Sequence, residues 1–126
     1  MKIIIANTSD LPIYQQIKNQ IRQAILQGEL SEGEMLPSIR ALASDLHVSV
    51  LTTRRVYDEL ESEGFITTRA GKGSFVANGN VELLLESKRR MVEVKLAEAW
   101  ETARMLGIGR SELYAMMELL FEEENE

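Results

Sequence analysis

Two short apolar patterns separated by a tight break constrain this chain more than any other feature. Ile39, Leu42, Ala43 and Leu46 repeat at helical spacing, His47-Val48 interrupts them, and Thr53, Val56, Tyr57 and Leu60 resume the period after Ser49. Apolar residues at such intervals mark one face of a helix. Pro37 gives a start signal for the first helix. Ser49 is a good N-cap for the second, since a serine oxygen can accept from the free amides of an opening turn. Ala43 is small and sits in mid-face, where two helices crossing at a steep angle would touch. Val50, Leu51, Thr52, Arg54, Arg55 and Asp58 are left facing outward or sideways, and Gly64 ends the second helix.

The flanking segments extend this pattern. Asp10-Leu11-Pro12 opens an earlier helix of about four turns. Ile13, Ile17, Ile21, Ala24 and Ile25 form its apolar stripe, and Gly28 is a left-handed terminator. Glu29 to Leu36 is mostly polar, contains Gly33 and reads as a loop. Phe65-Ile66-Thr67-Thr68-Arg69 and Ser74-Phe75-Val76 are β-prone runs around a glycine-rich tip, Ala70-Gly71-Lys72-Gly73, which predicts a hairpin. Met1-Lys2-Ile3-Ile4-Ile5-Ala6 is too short for a signal peptide core or a membrane span and reads as a short strand.

Three helices followed by a two-stranded hairpin is the winged helix-turn-helix order. The fold class expected is therefore mainly α with a small β hairpin. Residues 1–78 would be the winged domain, and Asn78-Gly79-Asn80 a break before a helical segment, 79–126. An ordinary helical hairpin would share the apolar spacing. The balance is tipped by Ser49, Thr52, Arg54 and Arg55 at the start of the third helix, because hydroxyls and guanidiniums there are donors to phosphates and base edges.

Net charge, taken as a total, opposes nucleic-acid binding. The chain carries 14 basic and 20 acidic side chains, a formal charge of -6. Residues 1–78 hold eight basic and nine acidic residues, whereas residues 79–126 hold six and eleven. Acidity therefore belongs to the C-terminal segment, and fields from it decay over about 8 Å at physiological salt. Cys is absent, which excludes disulfides and thiolate metal sites and makes the cytoplasm the natural compartment. His47 is the only histidine, so neither a metal site nor a catalytic triad has the residues it needs. No enzyme and no cofactor are expected.

Several of these strings recur together in one known group. Pro12-Ile13-Tyr14-Gln15-Gln16-Ile17, Leu36-Pro37-Ser38-Ile39-Arg40-Ala41-Leu42-Ala43, Val48-Ser49 with Thr52 and Arg54, Leu60-Glu61-Ser62-Glu63-Gly64-Phe65-Ile66, and Gly71-Lys72-Gly73-Ser74-Phe75-Val76 closely resemble the GntR family of bacterial regulators. The resemblance covers roughly residues 10–77. It implies that Ser38 and Arg40 contact DNA from the second helix, and Ser49, Thr52 and Arg54 from the recognition helix. Gly71 and Lys72 would form the wing tip that approaches the minor groove. Val50 and Leu51 depart from the pattern, standing where many relatives carry a polar or basic base-reader. They would either touch thymine methyls or pack beneath a neighbouring loop. Arg69 reads equally as a phosphate contact or as a solvated strand residue.

From Val81 the period is helical again. Leu84, Leu85, Met91, Val92, Leu96, Ala99, Ala103 and Leu106 make a stripe of about seven turns. Gly107 and Gly109 interrupt it, Ser111 is a candidate cap, and Leu113, Met116, Met117, Leu120 and Phe121 mark a final short helix. Such a segment is similar to the short tail of the YtrA-type subfamily. Two helices bury a long apolar stripe poorly by themselves, so a second copy is the simplest partner. The expected interface comprises Leu84, Leu85, Val92, Leu96, Ala99, Ala103, Leu106, Leu113, Met117 and Leu120; partial packing on the winged domain is the other reading. Trp100, Met105, Met116 and Met117 are better read as core than as a ligand pocket. Lys88-Arg89-Arg90 reads as an exposed helical face.

The function expected is a dimeric repressor on a double-stranded DNA operator with two half-sites. A winged-helix adaptor without specific DNA binding is the alternative, and it would not need Ser49, Thr52, Arg54 or a Gly-Lys-Gly wing. A fragment of relatives bearing an aminotransferase-like domain would need several hundred further residues. Whether a small-molecule effector exists stays open; its place would be the dimer interface or the junction at Asn78-Gly79-Asn80.

Overall fold

The structure, a computed structural model, describes residues 1–79 and 81–124. Asn80, from the expected break, and the last two residues of the acidic tail lie outside the described residues. Two compact units divide the chain, Met1–Leu85 and Glu86–Glu126.

The first unit opens its helical part with α1, Ile13–Gln27, preceded by Pro12 as expected. Ile17, Ile21, Ala24 and Ile25 are buried along its inner face. Gly28 stops the helix at φ 82°, a left-handed conformation in which a side chain would be strained. Helix α2 is Ile39–Leu46, and its cap is Ser38, whose Oγ accepts from the Ala41 amide at 3.1 Å. His47 makes the turn to the next helix at φ 56°, ψ 42°, the one described residue other than glycine with positive φ. Helix α3, Val50–Ser62, buries Thr53, Val56, Tyr57 and Leu60, the set its period predicted.

Two ties hold α3 in place, apolar packing and the Tyr57 hydroxyl. Its apolar face packs on α1 and α2, with Ile17, Ile21, Val56 and Leu60 wholly removed from solvent. Burying each such side chain contributes about 1.5–3 kcal/mol. Thr53 is buried too, and its Oγ1 donates to the Ser49 carbonyl at 3.2 Å, which spares an unpaired hydroxyl in the core. The Tyr57 hydroxyl donates to the Pro37 carbonyl at 2.7 Å, linking α3 to the entrance of α2.

The hairpin comprises β1, Ile66–Arg69, and β2, Gly73–Val76, antiparallel with Ile66 opposite Val76 and Arg69 opposite Gly73. The segment expected as a plain loop, Glu29–Leu36, adds a third edge to it. The Leu36 amide donates to the Ser74 carbonyl at 2.8 Å, the Val76 amide to Glu34 at 2.9 Å, and the Gly33 amide to Val76 at 2.9 Å. Polar side chains hid this edge because pairing uses main-chain groups, whatever the side chains are.

The opening residues are not a strand in a sheet. Two glutamines of α1 one turn apart hold this segment instead. Gln20 Oε1 accepts from the Ile4 amide at 2.9 Å while its Nε2 donates to the Ile4 carbonyl at 2.6 Å. Gln16 does the same at Ala6, at 2.8 and 3.0 Å, and its Nε2 donates also to the Leu11 carbonyl at 2.9 Å. Side-chain amides thus supply the partners that a neighbouring strand would have given.

Helix α4, Val81–Met105, runs across the division between the units, and α5, Arg110–Glu124, follows it. The Ile108 amide donates to the Ala103 carbonyl at 2.8 Å and Gly107 takes φ 77°, the bonding and left-handed backbone that end a helix. Ser111, the expected cap, lies inside α5, and the Leu113 amide bonds to the Gly109 carbonyl at 3.1 Å instead. Within the described part of the second unit only Ala103 is buried. No helix among the described residues is long and apolar enough to cross a membrane.

Candidate nucleic-acid interface

The opening turn of α3 projects from the face opposite its buried side chains. Val50 is 41% and Leu51 76% exposed, so neither packs beneath a loop. Ser49 Oγ accepts from the Thr52 amide at 3.0 Å and donates its proton to Thr52 Oγ1 at 2.8 Å. Both functions of the Ser49 hydroxyl are therefore occupied in organising the turn. Thr52 gains from this: its oxygen is already an acceptor, and its own proton has no acceptor among the described residues. That proton is available to an external acceptor.

Arg40 on α2 and Arg54 on α3 are exposed and form no ion pair among the described residues. Both helices start at a serine cap, and helix N-termini carry a partial positive charge that favours phosphate. Ser38 is exposed beside Arg40, with its oxygen engaged by the Ala41 amide. At the wing, Gly71 takes φ 75° at the tip and Lys72 is exposed, its amide bonded to the Arg69 carbonyl at 2.9 Å. Arg69 lies over the Phe75 ring at 4.8 Å on the same hairpin, its charge still exposed.

Arg55, which the sequence placed in the donor cluster, has a different environment. Its Nε donates to Glu59 Oε2 at 2.9 Å, and its guanidinium lies 3.5 Å from the centroid of the Tyr14 ring on α1. Lys18 Nζ bonds Glu59 Oε1 at 2.9 Å and also Glu63, while Arg22 reaches Glu63 at 3.6 Å. Burial alone would lower the Lys18 pKa, but the two carboxylates outweigh it and raise it. Hydrogen bonds from Lys18 and Arg55 hold the Glu59 carboxyl below its ordinary range. Sequence reasoning missed this network. Its one signal was the i,i+4 spacing of Arg55 and Glu59; the partners on α1 come from 41 residues away.

Residues 13–76, the three helices and the wing, match the family described as bacterial regulatory proteins, gntR family. The chain belongs to the GntR family. The GntR match takes in α1, α2, α3 and both strands of the hairpin. The chain is 33% identical over 106 residues to the HTH-type transcriptional repressor YtrA of Bacillus subtilis, covering 84% of this chain and 82% of YtrA. That match is longer than the winged unit, so YtrA-type likeness extends into the C-terminal helices. A GntR family transcriptional regulator from Listeria monocytogenes superposes with a TM-score of 0.79 at 26% identity, covering 90% of this chain and 97% of the other. The DNA-binding domain of AraR, in complex with operator ORX1, superposes at 0.55 with 29% identity, over 61% of this chain and 96% of that domain. This protein is thus a GntR transcriptional regulator with a DNA-binding helix-turn-helix domain, and its relatives are regulators rather than enzymes.

The candidate dimer residues fall on α4 and α5. Leu84 is half-buried and Leu85 exposed in the winged unit's share of α4. Leu96, Ala99, Leu113 and Met117 line one groove of about 420 Å³ with Trp100, Arg110 and Tyr114. Ala99, Ala103, Leu106 and Leu113 help line a second of about 430 Å³. Ala99 and Leu113 belong to both, so the grooves flank the line where the two helices meet. Val92 and Leu120 are exposed.

Proposed function

We propose that the protein is a repressor acting as a homodimer on an operator with two half-sites. The observation that carries this reading is the exposed first turn of α3, anchored from behind by a fully buried face and presenting Val50, Leu51, Thr52 and Arg54. In the bound state this turn enters the major groove. Ser38 and Arg40 meet the adjacent phosphates, and Gly71 and Lys72 bring the wing to the flanking minor groove, with Arg69 beside them. Val50 and Leu51 offer methyl groups rather than hydrogen-bond donors, which favours thymine methyls over guanine edges. AraR bound to its operator and the repressor name of YtrA support this reading by likeness. The C-terminal helices supply the second copy's docking surface, because their apolar side chains remain exposed in one chain.

Selection of duplexes from a random pool, followed by footprinting, tests the proposal. Two protected half-sites about one helical turn apart, with thymines near the positions of Val50 and Leu51, are expected. Uniform, sequence-independent protection would refute specific operator binding and favour the adaptor reading.

A further inference from the structure

We infer that Arg55 is a withheld cation: Glu59 and Tyr14 keep its guanidinium off the phosphates and thereby limit non-specific DNA binding. The inference rests on α3 being the DNA-binding helix. Leu51, Thr52, Arg54, Arg55 and Asp58 line one groove on the outer side of α3, with Glu59 and Ser62 behind them. Two arginines thus stand side by side on the exposed helix, yet their surroundings differ. Arg54 has no partner among the described residues, whereas Arg55 is engaged at both its edge and its face. Its side chain is 56% exposed, so solvent access does not explain the asymmetry; the partners do.

Those partners are themselves fixed. Glu59 is shared with Lys18, whose side chain is only 10% exposed, and Lys18 is held again by Glu63. Tyr14 belongs to α1 and lies across the α1–α3 packing. Pulling Arg55 out would leave Glu59 short of one of its two cations and uncover the ring. A guanidinium over an aromatic face is favoured electrostatically, and an Nε–carboxylate bond of 2.9 Å is charge-assisted. A phosphate would have to replace both contacts at once.

Such an arrangement acts on the sequence-independent part of the affinity. Non-specific affinity rises with the number of phosphates neutralised, each adding about 0.9 to the slope of log K against log salt. Keeping one arginine of the recognition helix neutralised lowers binding to every sequence alike. Base-edge contacts are untouched, so the ratio of specific to non-specific binding is unchanged while the absolute hold on non-operator DNA falls.

Fluorescence anisotropy of the full chain on a mixed-sequence duplex, across a salt series, tests this. Arg55→Gln is expected to leave the salt slope unchanged. Glu59→Gln frees the guanidinium and should steepen the slope by about 0.9, with roughly eightfold tighter binding near 0.1 M salt. Glu59→Gln also removes a negative charge, so the decisive control is the double variant Arg55→Gln/Glu59→Gln, in which the extra slope must vanish. Tyr14→Leu keeps Glu59 and Lys18 paired and should give a smaller steepening in the same direction, should Glu59→Gln melt below the assay temperature. A slope flattened by about one in Arg55→Gln would show that Arg55 already holds a phosphate and overturn the inference. So would an unchanged slope in folded Glu59→Gln. Arg54→Ala separates this from the underlying reading: if it fails to flatten the slope, α3 is not the DNA-binding helix.

Discussion

Ser49 organises the first turn of α3 from both sides of its hydroxyl, capping the Thr52 amide and donating to Thr52 Oγ1. Ser49→Ala should therefore cost about 1 kcal/mol of stability as a lost cap. It should also weaken operator binding further, since the Thr52 hydroxyl is then free to turn inward. Thermal melts and anisotropy on one preparation measure the two effects, and unchanged DNA binding would remove Ser49 from the interface. Arg40→Ala and Arg54→Ala should each leave the melt unaltered and flatten the salt slope by about 0.9, while Lys72→Ala acts through the wing with a smaller loss. Tyr57 makes a prediction of the opposite kind. Burial pushes its phenol up to about 12 from an ordinary 10, because the neutral form is the one that fits the core. Below pH 10 both states are protonated and its contribution is complete. As pH rises from 10 towards 12 the unfolded chain ionises first, so stability falls. Tyr57→Phe should remove the part of that alkaline loss due to Tyr57, read from melting temperatures across pH 8–11.

At the scale of elements, the turn between α2 and α3 rests on His47, a residue with a side chain in left-handed backbone. Histidine tolerates this better than most residues, and β-branched ones tolerate it poorly. His47→Val should lower stability by about 1–2 kcal/mol with the DNA face chemically intact, and denaturant titration measures it. Helices were the legible part of the sequence. The buried set of α3 and the glycine stop of α1 follow from spacing and from one residue's freedom in φ, both local properties. Main-chain partnerships beyond the hairpin were not legible. Ile3-Ile4-Ile5 has high β propensity, but propensity does not reveal which groups will meet a strand, and here two glutamines meet it. Glu34 to Leu36 joins the wing through amides and carbonyls that any residue carries. For the same reason the candidate site was legible as a set of donors, yet the diversion of Arg55 was not: Tyr14 reaches Arg55, and Lys18 reaches Glu59, only once α1 is packed.

For the whole molecule the open account is apolar surface. In the described part of the second unit Ala103 alone is buried, while Val92, Leu96, Trp100, Leu106, Leu119, Leu120 and Phe121 are all exposed in one chain. Exposed apolar side chains in this number fit the association surface proposed above. A second copy is the natural cover because the same stripe is then presented from both sides of a two-fold axis, and a GntR operator with two half-sites would share that symmetry. Leu96 lies in the groove with Ala99, Leu113 and Met117, so a carboxylate there would be desolvated by any partner helix. Leu96→Glu should leave the winged unit folded and shift the protein from dimer to monomer in sedimentation at micromolar concentration. Operator affinity should then fall towards that of a single half-site, while the salt slope on a half-site duplex stays that of the wild type. A chain truncated after Asn78 should reproduce both results. A wild-type protein that sediments as a monomer at this concentration would refute the dimer, and so would a Leu96→Glu protein that remains dimeric with Leu113→Glu added.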